Sequence, residues 1–478
     1  MNLYIKDEVS VNKVPKEILK FPRLRKTSSH DLSEITIIII EFESFDNDVL
    51  GTTLSVLSAC EYKCKVFIVS EDIIYPPLEI PKGAKHIILK ADILKSEPNM
   101  KNLLQPSKYV LFLPDGARIS SETQLKDQIH VLETGDFQVV ALGIGGSPLN
   151  CYQYSLDIRA WTLVISPTPH SEACDGISGK AAMLLRTSHL MNLTFPLARP
   201  SALSLSIQGV ARGWKIHVGR GAILGEGKHL YSSDHFQWKY QTLEEERVKT
   251  LYVNLGIKKV VESNHRVEWY GCTRNSPRCF PTIINETPSY LYKGRWTPPC
   301  CLEGLRITAR HVFQTLHSCR VRWWLEGGSL LGAVRSGDII PWDYDVDIGI
   351  YASDLDRCPQ LKSSRWQTLE DSKGFVWQKA SEGNYYRVHY STANHLHVDI
   401  FPFQVRDGMM VRGGAWNTGH KQDIDFPEHY LRPLSNIMFI GVTAAAPNNV
   451  RDFLEMKFGL GVIENPQYPN IDTLSTHT

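Results

Sequence analysis

Two aspartates two residues apart, Asp345 and Asp347, stand in the run Asp338-Ile-Ile-Pro-Trp-Asp-Tyr-Asp-Val-Asp-Ile-Gly-Ile-Tyr351. Side chains alternate across a strand, so residues two apart project to one face. Asp343 precedes the pair with the same parity. Carboxylates aimed at one point repel each other, and burying them unpaired is costly. A hard divalent cation resolves that conflict: Mg²⁺ (or Mn²⁺) takes one or two carboxylates together with phosphate oxygens. An acidic pair at this spacing is common on solvated strands. Here, however, Ile339, Ile340 and Trp342 lie on one side and Ile348 and Ile350 on the other. A solvated face would not be framed that way.

Two further features point to the same chemistry. Gly327-Gly328-Ser329 reads as a tight turn opening a helix that carries Leu330, Leu331 and Arg335, and such a turn offers free N–H groups to a phosphate. A third acid, Asp399, sits in the strand-like run His395-Leu-His-Val-Asp-Ile-Phe401. Carboxylates, cation and phosphate-binding turn together suit phosphoryl transfer, where catalysis is mostly positioning and charge neutralisation. The elements that must hold them are a short strand at Val321–Leu325, the helix after it, and a strand at Asp345–Ile350.

The rest of the chain sets the context. Its 478 residues allow two or three domains. A formal net charge of +1 gives no global attraction to nucleic acid or an anionic membrane. The longest aliphatic run, Ile37–Ile40, is of strand length, and residues 1–25 hold no apolar core of the signal-peptide kind. Residues 1–33 are polar and basic and read as a tail or stalk. From Ile35 strands and helices alternate: a buried strand at Ile35–Phe42, a helix at Asp46–Ala59, strands at Cys64–Ser70 and Tyr109–Leu113, and a closing helix near Phe236–Leu255. This implies a parallel or mixed α/β sheet. A second α/β unit begins near Cys272.

The Gly-Gly-Ser turn, the Asp-x-Asp and the third Asp resemble the nucleotidyltransferase superfamily. The stretches Leu330-Leu-Gly-Ala-Val-Arg335 and Ile340-Pro-Trp-Asp-Tyr-Asp-Val-Asp347 narrow the resemblance to the LicD-type phosphotransferases. Asp399-Ile-Phe-Pro402, Asp425-Phe-Pro427 and Ala446-Pro-Asn-Asn449 match as well. Glu268-Trp-Tyr-Gly-Cys272 and Arg295-Trp-Thr-Pro-Pro-Cys-Cys301 place the chain in the branch that uses CDP-ribitol. The implied architecture is α/β: a non-catalytic, glycosyltransferase-like α/β stem domain over 34–271, then a nucleotidyltransferase-like α+β catalytic domain over 272–478. The implied activity is transfer of ribitol 5-phosphate from CDP-ribitol to the ribitol-5-phosphate end of the O-mannosyl glycan of α-dystroglycan, releasing CMP. Asp345 and Asp347 would hold Mg²⁺, Asp399 would complete the acidic site as candidate base, and Asp343, Gly327, Gly328, Ser329, Arg335 and Arg295 would meet the substrates. A Golgi lumenal site, association with fukutin and self-association are further expectations of the resemblance. Members of the family carry an N-terminal membrane anchor, and no such segment is read here.

The cysteines Cys272, Cys279, Cys300 and Cys301 form a four-thiol set whose spacing alone suits zinc weakly, with disulfides or buried thiols as alternatives. The resemblance matches all four as a zinc-held loop, 272–301. Cys151 and Cys174 are loop-flanked and suitably placed for a disulfide in an oxidising lumen. Asn192 heads an Asn-Leu-Thr glycosylation sequon and Asn285 an Asn-Glu-Thr one. Three other functions compete: a nucleotidyltransferase or other CDP-polyol phosphotransferase on a different acceptor, a non-enzymatic partner with a relic site, and activity in the first half. The third is disfavoured because Pro114-Asp115-Gly116 supplies one carboxylate where a cation holding a diphosphate wants two.

Overall fold

The computed structural model of the chain describes residues 31–90, 104, 107–146, 148–168, 173–277, 283–284, 287–412 and 422–468. In the first half the isoleucine-rich run forms the strand Ile35–Ile39, buried throughout and shorter than the expected Ile35–Phe42. Chain buried on both faces of a sheet reads as continuous apolar sequence. The strand pairs in parallel with Lys65–Ser70 on one side and Tyr109–Phe112 on the other, and Ala84–Ile88 continues the parallel set. The helix Val49–Ala59 connects the first two strands. Ala181–Arg186 then joins in antiparallel fashion, which makes the sheet mixed. A second sheet combines Asn150–Asp157, Thr162–Pro167, Lys259–Val261 and Val267–Trp269. The helix Asp234–Asn254 is capped by Ser233, whose hydroxyl accepts from the Phe236 N–H at 3.3 Å. Disulfides join Cys60 to Cys64 and Cys151 to Cys174.

The second half is built on a sheet in the order Trp323–Leu325, Val346–Tyr351, His397–Arg406, Tyr386–His389, Val376–Lys379 and Leu369–Glu370. The helix Pro299–Ser318 starts with a proline in its first turn, where no N–H is needed, and buries Leu305, Ala309, Val312 and Leu316. The helix Gly327–Ser336 follows the first strand directly. The halves meet where the Trp161 indole donates to the Trp296 carbonyl at 2.8 Å and the Trp296 N–H donates to the Arg159 carbonyl at 2.9 Å. Among the described residues no helix is long and apolar enough to cross a membrane.

One ion pair fixes the approach to the site. Glu326, the residue before the glycine turn, is 1% exposed and bonds Lys457, also 1% exposed, from the helix Val450–Phe458. The Trp324 indole donates to the other Glu326 oxygen at 2.8 Å, and the ammonium sits 4.9 Å from the Phe426 ring and 5.0 Å from Phe453. Breaking such a pair strands the partner's charge in apolar surroundings. Lys457→Met should therefore cost ~3–5 kcal/mol of stability in denaturant melts, and Glu326→Leu in the same chain should recover most of the loss. Equal stability of Lys457→Met and wild type would mean that Glu326 is neutral.

Candidate active site

Strand register assembles the acids. Val346–Tyr351 runs parallel to His397–Arg406 with Asp347 opposite Asp399, and Tyr386–His389 runs antiparallel on the far side with Arg387 opposite Asp399. Asp347, Asp399 and Arg387 thus form one row across three strands and share a face. Asp345 lies one residue before its strand, at the parity of Asp347, and His397 has the parity of Asp399. Asp343 stands two residues earlier, on the loop whose carbonyl accepts from Thr297 Oγ1 at 2.6 Å.

The glycine turn closes against this row. Gly327 has φ +53°, and a Cβ there would come 3.3 Å from Asp347 Oδ2; at Gly328 it would come 2.8 Å from Asp343 Oδ2. Any side chain would push the carboxylates away, which gives these positions a steric reason to be glycine. The positive end of the helix therefore stands beside the acids. Ser329 points inward instead of toward a substrate: its hydroxyl accepts from the Asp347 N–H at 2.9 Å and so holds the strand in place.

Electrostatics confirm the crowding. Burial raises Asp343 and Asp347 well above the ordinary carboxylate range, and the neighbouring Asp345 raises both further. Burial also raises Asp345; His397 works against that rise and Asp399 adds to it. Contact between the Asp343 and Asp345 carboxyls raises the first further and works against the rise of the second. Arg387 grips Asp399 in a fork, Nε to Oδ1 at 2.8 Å and Nη2 to Oδ2 at 3.0 Å. Burial works against the Arg387 charge, but these bonds outweigh it and raise the guanidinium's pKa. His397 Nδ1 lies 2.9 Å from the His395 carbonyl and so carries a proton there, which leaves Nε2 3.9 Å from Asp399.

The donor set fits a hard cation: Asp345 and Asp347 offer crowded carboxylate oxygens that repel each other, and a phosphate would complete the shell. Among the described residues no three His, Cys, Asp or Glu side chains already surround one ion position.

Two expected substrate contacts are corrected. Arg335 spends its guanidinium on the Val462 and Ile463 carbonyls, so it anchors the chain's C-terminal segment and does not face the acids. Arg295 stacks over the stem residue Trp161 at 4.3 Å and packs against Gly256 in the junction between the halves. Sequence spacing could not separate these arginines from site residues because Arg335 follows the glycine turn, and Arg295 precedes the cysteine pair, by only a few positions. Arg387 and His397 are brought in by register, which no sequence run discloses.

The cysteine set is partly gathered. Cys272 and Cys300 are joined as a disulfide with Cα atoms 5.9 Å apart, and Cys301 is buried at the same helix start. Sulfurs so joined are not thiolates, so this bond and a four-thiolate zinc site exclude each other at these residues. Cys279 and Asn285 lie outside the described residues. Asn192 is exposed at the end of the helix Thr187–Met191. In the stem, Asp115 is buried with both oxygens occupied: it accepts from Asp48 N–H at 2.7 Å, Thr52 Oγ1 at 3.0 Å and Gly116 N–H at 2.8 Å. It is a structural carboxylate.

Fold and site define a LicD-type transferase catalytic domain on an α/β stem. Residues 320–449 match the family model described as LicD/FKTN/FKRP, nucleotidyltransferase domain, and residues 22–263 match that of the Fukutin-related protein stem domain. The chain belongs to the fukutin-related protein family. It is 42% identical over 445 residues to Ribitol 5-phosphate transferase FKRP of Mus musculus, covering 92% of this chain and 90% of that one. The Homo sapiens protein of the same name is also 42% identical, with 92% and 89% covered. Ribitol-5-phosphate transferase FKTN of Macaca fascicularis is 26% identical over 162 residues, 33% of each chain.

The raised carboxyls make a signed prediction. Groups whose pKa is raised by folding stabilise fully below their unfolded value, near 4, and lose that contribution as pH rises through the folded value. In EDTA the protein should melt at progressively lower temperature as pH rises above the ordinary carboxylate range. Excess Mg²⁺ should remove most of that slope, and Asp347→Asn should reduce it without metal. A flat EDTA profile in the wild type would contradict the buried-carboxyl account.

Proposed function

We propose that this chain transfers ribitol 5-phosphate from CDP-ribitol to a ribitol-5-phosphate acceptor, the end of the O-mannosyl glycan of α-dystroglycan, with release of CMP. The row Asp347–Asp399–Arg387, with Asp345 beside it and the glycine turn opposite, is the observation that carries this reading; membership in the family supports the donor and acceptor. Asp345 and Asp347 would hold the divalent cation, which when bound neutralises the donor diphosphate and polarises the phosphorus under attack. The Gly327–Ser329 helix start directs its positive end at the same phosphates. The acceptor hydroxyl oxygen bonds to the ribitol-bearing phosphorus, and that phosphorus's bond to the bridging oxygen breaks. CMP departs with the bridging oxygen. The hydroxyl proton passes to Asp399, whose oxygens keep lone pairs beyond those used by Arg387. Arg387 is the positioning residue that fixes this base and its charge.

The disulfides Cys60–Cys64 and Cys151–Cys174 suit an oxidising compartment, which supports a lumenal Golgi location. Self-association and association with fukutin are assigned to the stem, whose folded surface carries no chemistry of this kind. Zinc on Cys272, Cys279, Cys300 and Cys301 is the arrangement we propose for the reduced protein. Metal analysis finding one zinc per chain with four free thiols would support it, and a Cys272–Cys300 peptide in a non-reducing digest would refute it.

A donor screen of CDP-ribitol, CDP-glycerol and CDP-choline with product mass analysis tests the activity. CDP-ribitol should give CMP and a ribitol-phosphate-extended acceptor. Asp345→Asn and Asp347→Asn should each lower turnover by at least about 10²-fold with the fold intact. Pyrophosphate as the leaving product would make the chain a nucleotidyltransferase instead.

A further inference from the structure

The stem contains a cleft that the transfer chemistry does not use. A cavity of about 500 Å³ opens beyond the C-terminal ends of the parallel strands Ile35–Ile39 and Tyr109–Phe112, with Glu41, Pro114 and Asp115 on its floor. Open α/β sheets bind ligands at that edge, and the volume lies within the ~300–1,000 Å³ of small-molecule sites. The position is the one a nucleotide sugar would take, yet the groups it would need are already engaged. Asp115 is saturated by Asp48, Thr52 and Gly116. Arg199 is bonded to Glu41 at 3.2 Å and Glu43 at 2.8 Å, and Lys180 to Glu226 at 3.2 Å. Neither cation is left for a diphosphate, and the remaining unpaired acid would repel one.

Other groups on the wall are unspent. Tyr231 and Tyr240 stack at 4.4 Å with their planes 14° apart. Among the described residues neither phenol hydroxyl, nor the carboxyl of Glu244, has a hydrogen-bond partner, and all three residues line the cavity. Burial first, then the nearby Glu41, raises Glu244 to about 7, so near neutrality it can donate as well as accept a hydrogen bond. Aromatic rings beside unpaired hydroxyl and carboxyl groups match the alternating C–H and O–H faces of a sugar ring, and no charge on the ligand is called for.

We propose that this stem cleft is a binding site for a neutral saccharide of one or two rings, seated against Tyr240 and hydrogen-bonded by Glu244, Tyr231 and Tyr240. The site neither requires a divalent cation nor takes a nucleotide sugar. It goes beyond the transfer reading and does not depend on it.

Saturation-transfer NMR on the full chain tests it, with methyl glycosides and disaccharides of glucose, galactose, mannose and N-acetylglucosamine as probes and GDP-mannose as the charged comparator. At least one neutral probe should receive saturation with EDTA present. Tyr240→Ala and Glu244→Ala should each weaken that signal by roughly tenfold, the loss of one or two desolvated contacts. Should either fail to fold, Tyr240→Phe and Glu244→Gln keep the packing and should weaken binding less. Turnover of CDP-ribitol should be unchanged in all four variants. No neutral probe binding, binding indifferent to every one of these variants, or preferential binding of GDP-mannose would overturn the proposal.

Discussion

Like charges brought together away from water are the constraint around which the catalytic half is arranged. Asp343, Asp345, Asp347 and Asp399 converge on one sheet face, and burial with mutual repulsion lifts the first three out of the ordinary carboxylate range. A fold tolerates this only if something absorbs the charge. Here two absorbers are in place: a fixed arginine on Asp399 and a helix N-terminus against Asp343 and Asp347. The charge that remains is what the proposed cation and a donor phosphate would absorb.

The surrounding structure serves that arrangement at one remove. The helix start must approach the acids closely, so its first two residues are glycine and its N-cap residue, Glu326, is pinned by a lysine from a helix 131 residues later. The Glu326 N–H also donates to the Asp347 carbonyl at 3.0 Å, which ties turn and strand directly. Ser329 adds a second tie to Asp347. These contacts set backbone position, and the acids then have no freedom to move apart. The site is rigid because elements distant in sequence converge on two residues.

The sequence disclosed those parts whose signal is local. Asp345 and Asp347 were readable because a two-residue spacing framed by aliphatic residues is unlike a solvated face, and Gly327-Gly328 because paired glycines opening a helix read as a phosphate-binding turn. The Ile35–Ile39 and Tyr109–Phe112 strands were readable for the same reason, as apolar runs of strand length. What stayed hidden depends on register and tertiary placement. Arg387 lies twelve residues before Asp399 with no motif to mark it, and only the antiparallel pairing sets them side by side. Arg335 and Arg295 stood next to genuine motifs yet face the C-terminal segment and the stem junction. Nothing in the sequence around Lys457 announced a buried partner at Glu326.

The central claim of the proposed function is that a divalent cation entering with the donor takes the place of protons that crowding favours on these carboxyls. Titration calorimetry of Mg²⁺ with CDP-ribitol into the metal-free protein at neutral pH, repeated in buffers of different ionisation enthalpy, measures that exchange directly. The account predicts saturable binding with net proton release in the wild type and much weaker binding with little release in Asp347→Asn. Tight Mg²⁺ binding without proton release, or binding unaffected by Asp347→Asn, would contradict it.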